Sequence, residues 1–199
     1  MPHINGIVVP EQSVRNRVNC PTLAAAKTIT GATNATPIVV TSTSHGYSNG
    51  DVVLIEVVGG NTAANGWRLV ANKTANTFEL TTLAGVSVSG NGAYTSGGTA
   101  KKLSSTDGVI SSRDVWLSKV RLANTTAGAI DFTLTDNLSG STSTTGPNSR
   151  YQIVSIAANS VSLEVLNTAS PELCDEGAVF YASATGLQAT IEGWRKPNF

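Results

Sequence analysis

Apolar and polar positions alternate with a period of two through much of this chain. In the C-terminal half, Val120 and Leu122 alternate with Lys119 and Arg121, and Ile130, Phe132 and Leu134 with Asp131, Thr133 and Thr135. Val161, Leu163 and Val165 alternate with Ser162 and Glu164, and Leu187, Ala189 and Ile191 with Gln188, Thr190 and Glu192. Val179 and Tyr181 lead a further run into Ala182. Such alternation marks strands with one buried and one wet face. Several in succession predict two antiparallel sheets packed as a jelly-roll-like sandwich. Residues 138–149, LSGSTSTTGPNS, cannot bury anything and read as a long polar loop of the kind that carries contacts.

The preceding block has shorter β-type runs, at 28–30, 37–42, 51–57, 67–71, 77–81 and 98–102. Turn signals separate them: His45-Gly46, Asn49-Gly50, Gly59-Gly60 and Asn65-Gly66. Asn-Gly tolerates positive φ at both positions and so marks hairpins. The stretch 85–98 carries five glycines and reads as a long mobile loop. Residues 1–26 read as an extended N-terminal arm: Ile7-Val8 is a short extended piece, 11–18 is polar, and Leu23-Ala24-Ala25-Ala26 suits one helical turn. The expected organisation is therefore all-β: an arm (1–26), a small β-barrel-like module (27–103), and an antiparallel β-sandwich with a C-terminal docking tail (104–199).

Composition narrows the function. Basic and acidic residues balance at 13 each, with no Lys/Arg block, which argues against nucleic acid as a partner. Only 13% of residues are charged, about half the usual share, and Thr, Ser, Asn, Gly and Ala replace them. Such surfaces suit packing against copies of the same chain, where charge would need desolvation. The N-terminal residues lack an apolar signal core, and no run approaches a membrane span, so the expectation is a soluble protein made in a cytoplasm. Cys20 and Cys174 make neither a metal pattern nor a redox motif and read as passive thiols.

Candidate chemistry is sparse. His45 lacks the positioned partners that a base or metal site needs, and reads as a turn residue bonded to backbone. Asp131 with Asp136, and Glu172 with Asp175 and Glu176, are the candidate carboxylate groups. Sequence order gives no calcium-loop pattern, and the Glu172 group reads as a solvated turn after Pro171. Trp67, Trp116 and Trp194, with Tyr47, Tyr94, Tyr151 and Tyr181, are candidates for a sugar-stacking surface, weighed against Trp67 and Trp116 plugging the two cores. Tyr94, in the glycine-rich loop, is the candidate receptor contact. Trp194, Arg195 and Phe199 in the tail, with Ile7 and Val8 in the arm, are the candidate interface residues, since exposed apolar groups at chain ends favour burial.

One ordered set of motifs carries a resemblance. It comprises Ile29-Thr30-Gly31-Ala32, Pro37-Ile38-Val39-Val40-Thr41, Ser44-His45-Gly46, Asn49-Gly50-Asp51-Val52-Val53, Asn65-Gly66, Thr77-Phe78-Glu79-Leu80 and Gly92-Ala93-Tyr94-Thr95-Ser96-Gly97-Gly98. This block resembles the bacteriophage tail module related to the first-catalytic-cysteine half-domain of ubiquitin-activating enzymes. It has no cysteine and no nucleotide-binding glycine loop, so the resemblance implies a scaffold rather than ubiquitin chemistry. More loosely, Asn124-Thr125-Thr126-Ala127-Gly128-Ala129, Ile156-Ala157-Ala158-Asn159-Ser160-Val161 and the span from Gly186-Leu187 to Gly193-Trp194 resemble the β-sandwiches of phage decoration and fibre proteins.

Together these resemblances imply a non-enzymatic structural component of a bacteriophage particle, located in the virion at the tail, neck or capsid surface. It would take no cofactor and no metal, and its partners would be other virion proteins and copies of itself in a trimer or ring. The alternative is an adsorption protein on the same particle that binds a host-surface glycan. A polysaccharide hydrolase is the weakest of the three readings.

Overall fold

The computed structural model describes residues 3–4, 7–8, 12–110, 115–136, 152–160, 163–174 and 178–195. Within these residues the chain is all-β, built from antiparallel strand pairs. His3–Ile4 (β1) and Ile7–Val8 (β2) form a small hairpin, and Gln12–Asn19 (β3) follows. Next come Lys27–Thr28 (β4), Gly31–Ala32 (β5), Val39–Thr41 (β6), Val52–Glu56 (β7), Gly66–Ala71 (β8), Thr77–Thr81 (β9) and Thr99–Lys102 (β10). The C-terminal strands are Val109–Ile110 (β11), Val115–Asn124 (β12), Ile130–Asp136 (β13), Gln152–Ile156 (β14), Leu163–Cys174 (β15), Ala178–Ala182 (β16) and Leu187–Arg195 (β17).

The six strands predicted for the first block are all present, each end within two residues, and the sequence reading missed β5. Together the seven form a curled sheet in the order β4-β10-β7-β8-β9-β6-β5. Its two outermost strands, β4 and β5, are successive in the chain. The Ile29 N–H donates to the Gly98 carbonyl (2.9 Å) on one side, and the Thr30 N–H donates to the Thr41 carbonyl (2.9 Å) on the other. One short segment thus joins both edges of the curl, which removes the free edges that invite stray pairing. The interior is filled by Ile29, Ile38, Val40, Val53, Ile55, Val70, Phe78, Leu80 and Ala100, all buried. Tyr47 lies among them, and its hydroxyl donates to the Ala100 carbonyl (2.9 Å).

The loop 85–98 is not free, contrary to the sequence reading. The Val88 N–H donates to Leu80 O (3.0 Å), and the Ile38 N–H donates to Val88 O (2.9 Å). Val88 joins the core. Further along, Ser96 bridges Gly59, and the Asn91 side chain accepts from the Ala63 N–H (3.0 Å). Gly60, at φ +76°, sits so close that a Cβ there would lie 1.9 Å from the Ala93 carbonyl oxygen. The glycines serve close backbone approach here rather than mobility.

The second unit is a sandwich of two four-stranded sheets, β15-β12-β17-β3 and β11-β16-β13-β14. Numbered along the sandwich, its first strand pairs with the eighth, the second with the seventh, the third with the sixth and the fourth with the fifth. This is the order of a long hairpin rolled up into a jelly roll. Val120, Leu122, Leu187 and Ala189 from one sheet meet Ile130, Phe132, Ile156, Phe180 and Ala182 from the other. Asn124 closes one end of this core. Its side-chain amide donates to the Gly128, Ile156 and Ala157 carbonyls (2.8–3.2 Å), and its oxygen accepts from the Thr126 N–H (2.9 Å).

Two readings of the N-terminal region are corrected. Residues 12–19 are not part of an arm: β3 runs antiparallel to β17 for its whole length and is the first strand of the jelly roll. The curled module is therefore inserted between the first and second sandwich strands. The helical turn expected at 23–26 is absent. Leu23 instead bridges Leu103, and the Ala24 N–H donates to Lys102 O (2.8 Å), so the incoming and outgoing connectors run side by side.

The two units share an apolar seam. Val52, Leu54, Trp67, Leu83 and Leu103 from the module side pack with Val179 of β16. Leu23, Leu69, Val109 and Tyr181 line its margin. This explains the unbroken runs Val52-Val53-Leu54-Ile55 and Val179-Phe180-Tyr181-Ala182, because both strands are covered on both faces.

Candidate interaction surfaces

The turn after β6 holds His45 as the sequence suggested. The Tyr47 N–H donates to His45 Nδ1 (2.9 Å), and the ring lies against Tyr47 and Phe78 with centroids 4.9 and 5.1 Å away. Its Nε2 is buried. Among the described residues no group of three His, Cys, Asp or Glu is placed to hold a metal ion.

Asp131 is exposed on β13, and Ile130 and Phe132 beside it are buried. β13 pairs with β14 and β16 without a register shift, and the side chain of Asp136 lies outside the described residues. Glu172 is a strand residue, not part of a turn. β15 continues through Pro171 to Cys174 as an edge strand, and its register slips between Asn167 and Glu172, a place where proline is tolerated. Asp175 and Glu176 lie outside the described residues, as do Tyr151 and the loop 138–149.

Cys20 is buried in the sandwich core, and burial pushes its thiol up to about 12. Tyr47 is pushed up to about 12 as well, by burial first and by the Asp51 carboxylate second. Both groups hold their protons in the native state beyond the pH at which the unfolded chain releases them, with ordinary values of 9.0 and 10.0. The stability they contribute is complete below about pH 9 and declines as pH rises toward 12. In a Cys174→Ala background, Cys20 should resist iodoacetamide at pH 8 until the chain is unfolded, and the unfolding midpoint should fall above pH 9. Native labelling at the denatured rate would contradict this burial.

The aromatic candidates scatter. Tyr47 and Trp67 are buried. The Tyr94 hydroxyl donates to the Ile29 (3.2 Å) and Gly97 (3.0 Å) carbonyls, and its ring packs on the module core. The group expected to meet a receptor is thus engaged internally, tying the loop to the barrel wall.

Trp116 and Trp194 are placed differently. They are directly opposite each other across β12 and β17. By period-two counting Trp116 belongs with Val120 and Leu122, which are buried. However, the register of β12 shifts between Leu117 and Lys119 against both neighbours. One extra residue inverts the faces beyond it. The side chains of both tryptophans lie outside the described residues.

The β3–β17 pairing also gathers the interface candidates. Gln12 is opposite Arg195, and Ser13 is opposite Trp194. The hairpin carrying Ile7 and Val8 is joined to this end of the sheet by residues 9–11. Phe199 lies outside the described residues. Sequence reasoning found Trp194 and Arg195 but could not bring them together with the chain's other end, because that requires the strand pairing.

The fold and its surfaces define an all-β protein in which a curled sheet is inserted into a jelly-roll sandwich. No family model matches the chain, and no curated protein matches it. Among the described residues no helix is long and apolar enough to cross a membrane.

Proposed function

We propose that this chain is a non-enzymatic structural component of a bacteriophage particle, acting through contacts with copies of itself and with other virion proteins. The observation that carries this reading is the ordered motif set between Ile29 and Gly98, which coincides with a self-contained curled sheet. Its turn motifs hold that sheet together: His45 and Asn65 bond backbone groups, and Gly98 allows close approach. A rigid module inserted into a jelly roll, with a low-charge surface, suits repeated packing in an assembly.

Immunogold electron microscopy on intact phage particles tests the proposal, with antibody raised to this chain. Label over the head assigns a decoration role, and label at the tail or neck assigns a tail or adsorption role. Particles that bind no antibody, either intact or after mild disruption, would overturn the reading.

A further inference from the structure

The strand directions of the curled sheet bring three loops to one of its ends. β7 and β9 finish there and β6, β8 and β10 begin there, because each pairs antiparallel with its neighbour. The loops are residues 33–37, 57–65 and 83–97, and none of them contains Asp, Glu, Lys, Arg or His. Asn side chains and backbone bonds knit them together. Asn61 donates to the Thr33 carbonyl (2.8 Å) and accepts from the Asn91 N–H (3.1 Å), and the Gly90 N–H donates to the Ala35 carbonyl (2.9 Å). The same loops carry Val57 and Val86, 78% and 56% exposed, the two exposed large apolar side chains among the described residues. Val57 is held at φ +60°, a conformation that disfavours a β-branched residue. Its neighbours fix it there: Asn65 bonds both the N–H (2.9 Å) and the carbonyl (3.1 Å) of Val58, and Glu56 before it is paired with Lys101 (2.8 Å). The opposite end of the sheet is charged. There Lys27 donates to the Ser44 carbonyl (3.4 Å), Lys73 is exposed in the turn between β8 and β9, and Asp51 pairs with Lys102 (2.9 Å). Both connectors to the sandwich leave from that charged end, so the uncharged loops form the free tip of the module. Of their apolar residues only Leu83 turns into the seam.

We infer that this tip is a self-contact, meeting the tip of a second copy of the chain at a symmetry axis. Near such an axis each residue faces its own counterpart, so any charge there would meet its like. The three loops carry no charge to oppose, whereas the other end, with Lys27 and Lys73, would set cation against cation. Depletion of charge also marks the centres of protein interfaces. Backbone strain persists where the surroundings enforce it, and it concentrates at sites that do something. Here it holds an isopropyl group out in water, and burial against a partner removes that apolar area from solvent. The inference deepens the proposed role, and of that role it needs only the contacts between copies.

Sedimentation velocity of the full chain tests this over about a hundredfold range of concentration. The parent should shift to a faster-sedimenting species as concentration rises, and the shift should survive about 0.5 M salt, since no ion pair holds the contact. Val57→Asp should weaken association about tenfold or more, because two like charges then meet. Its Tm should match or exceed the parent's, because Asp tolerates the left-handed backbone better than Val. Val57→Gly, uncharged and free of that strain, should fold as well as the parent and still weaken association. Lys73→Glu, at the other end, should leave association unchanged. A parent that stays monomeric throughout, or that associates only at low salt, would overturn the inference. So would a folded Val57→Asp that associates as the parent does, or a loss shared equally by Lys73→Glu. Association that survives Val57→Asp would move the self-contact to another face, while the virion role would still stand or fall on the immunogold labelling.

Discussion

Trp67→Ala is expected to destabilise the protein by about 3–5 kcal/mol, the range for emptying a buried large aromatic site. Trp67 is 3% exposed and lies at the seam, opposite Leu54 in the β7–β8 register. Its ring meets Tyr181 of the sandwich edge-on, with centroids 5.8 Å apart at 62°. Such aromatic pairs add about 0.5–1.5 kcal/mol beyond area burial. The seam is the main apolar link between module and sandwich, so the substitution should also loosen their coupling. Urea unfolding followed by tryptophan fluorescence and by far-UV circular dichroism should give coincident midpoints in the parent and separated ones in the variant. Trp67→Phe should recover most of the loss. A Trp67→Ala variant within 1 kcal/mol of the parent, with a single transition, would show that the seam does not join the two units.

Gly60→Ala should have the second-largest effect, although it adds one methyl group to a residue with an exposed surface. Gly60 holds φ +76°, where an L side chain is strained, and the added Cβ would sit 1.9 Å from Ala93 O and 2.9 Å from Thr95 N. Both neighbours are backbone, so relief requires moving the loop away. That movement would pull on the Gly59–Ser96 bridge and on the Tyr94 hydroxyl bonds to Ile29 and Gly97. Strain and lost bonds together should cost about 3 kcal/mol, or a Tm lower by roughly 6–12 °C for a chain of this size. Gly46→Ala is the matched control: its φ is +73°, but no atom lies within 4 Å of the added Cβ, so only the conformational cost of about 1 kcal/mol remains. Equal losses in the two variants would mean that the loop contact contributes nothing.

The same loop contact bears on Tyr94. If Tyr94→Ala abolished glycan binding, the loss would have an internal explanation, because the hydroxyl anchors the loop 85–98 to the barrel wall.

Local pattern by itself determined six of the seven strands of the module, the alternating strands of the sandwich and the all-β class. In each case the information lies within a few residues: one face must be apolar to be buried, and turns need Asn, Gly or positive φ. His45 was legible for the same reason, because its partner is the N–H of Tyr47, two residues along. Tertiary structure decided the rest. β3 looks like a polar arm because it is an edge strand in which Val14 and Val18 are separated by Asn16 and flanked by arginines; only pairing with β17 makes it part of the sandwich. The Gly85–Gly98 stretch looks mobile until Val88 enters a core built from distant strands. The bulge in β12 was likewise out of reach, since it is defined by strand partners about fifty and seventy-five positions away. Period-two patterning records which residues alternate, while the ladder of long-range hydrogen bonds sets which alternate faces the solvent.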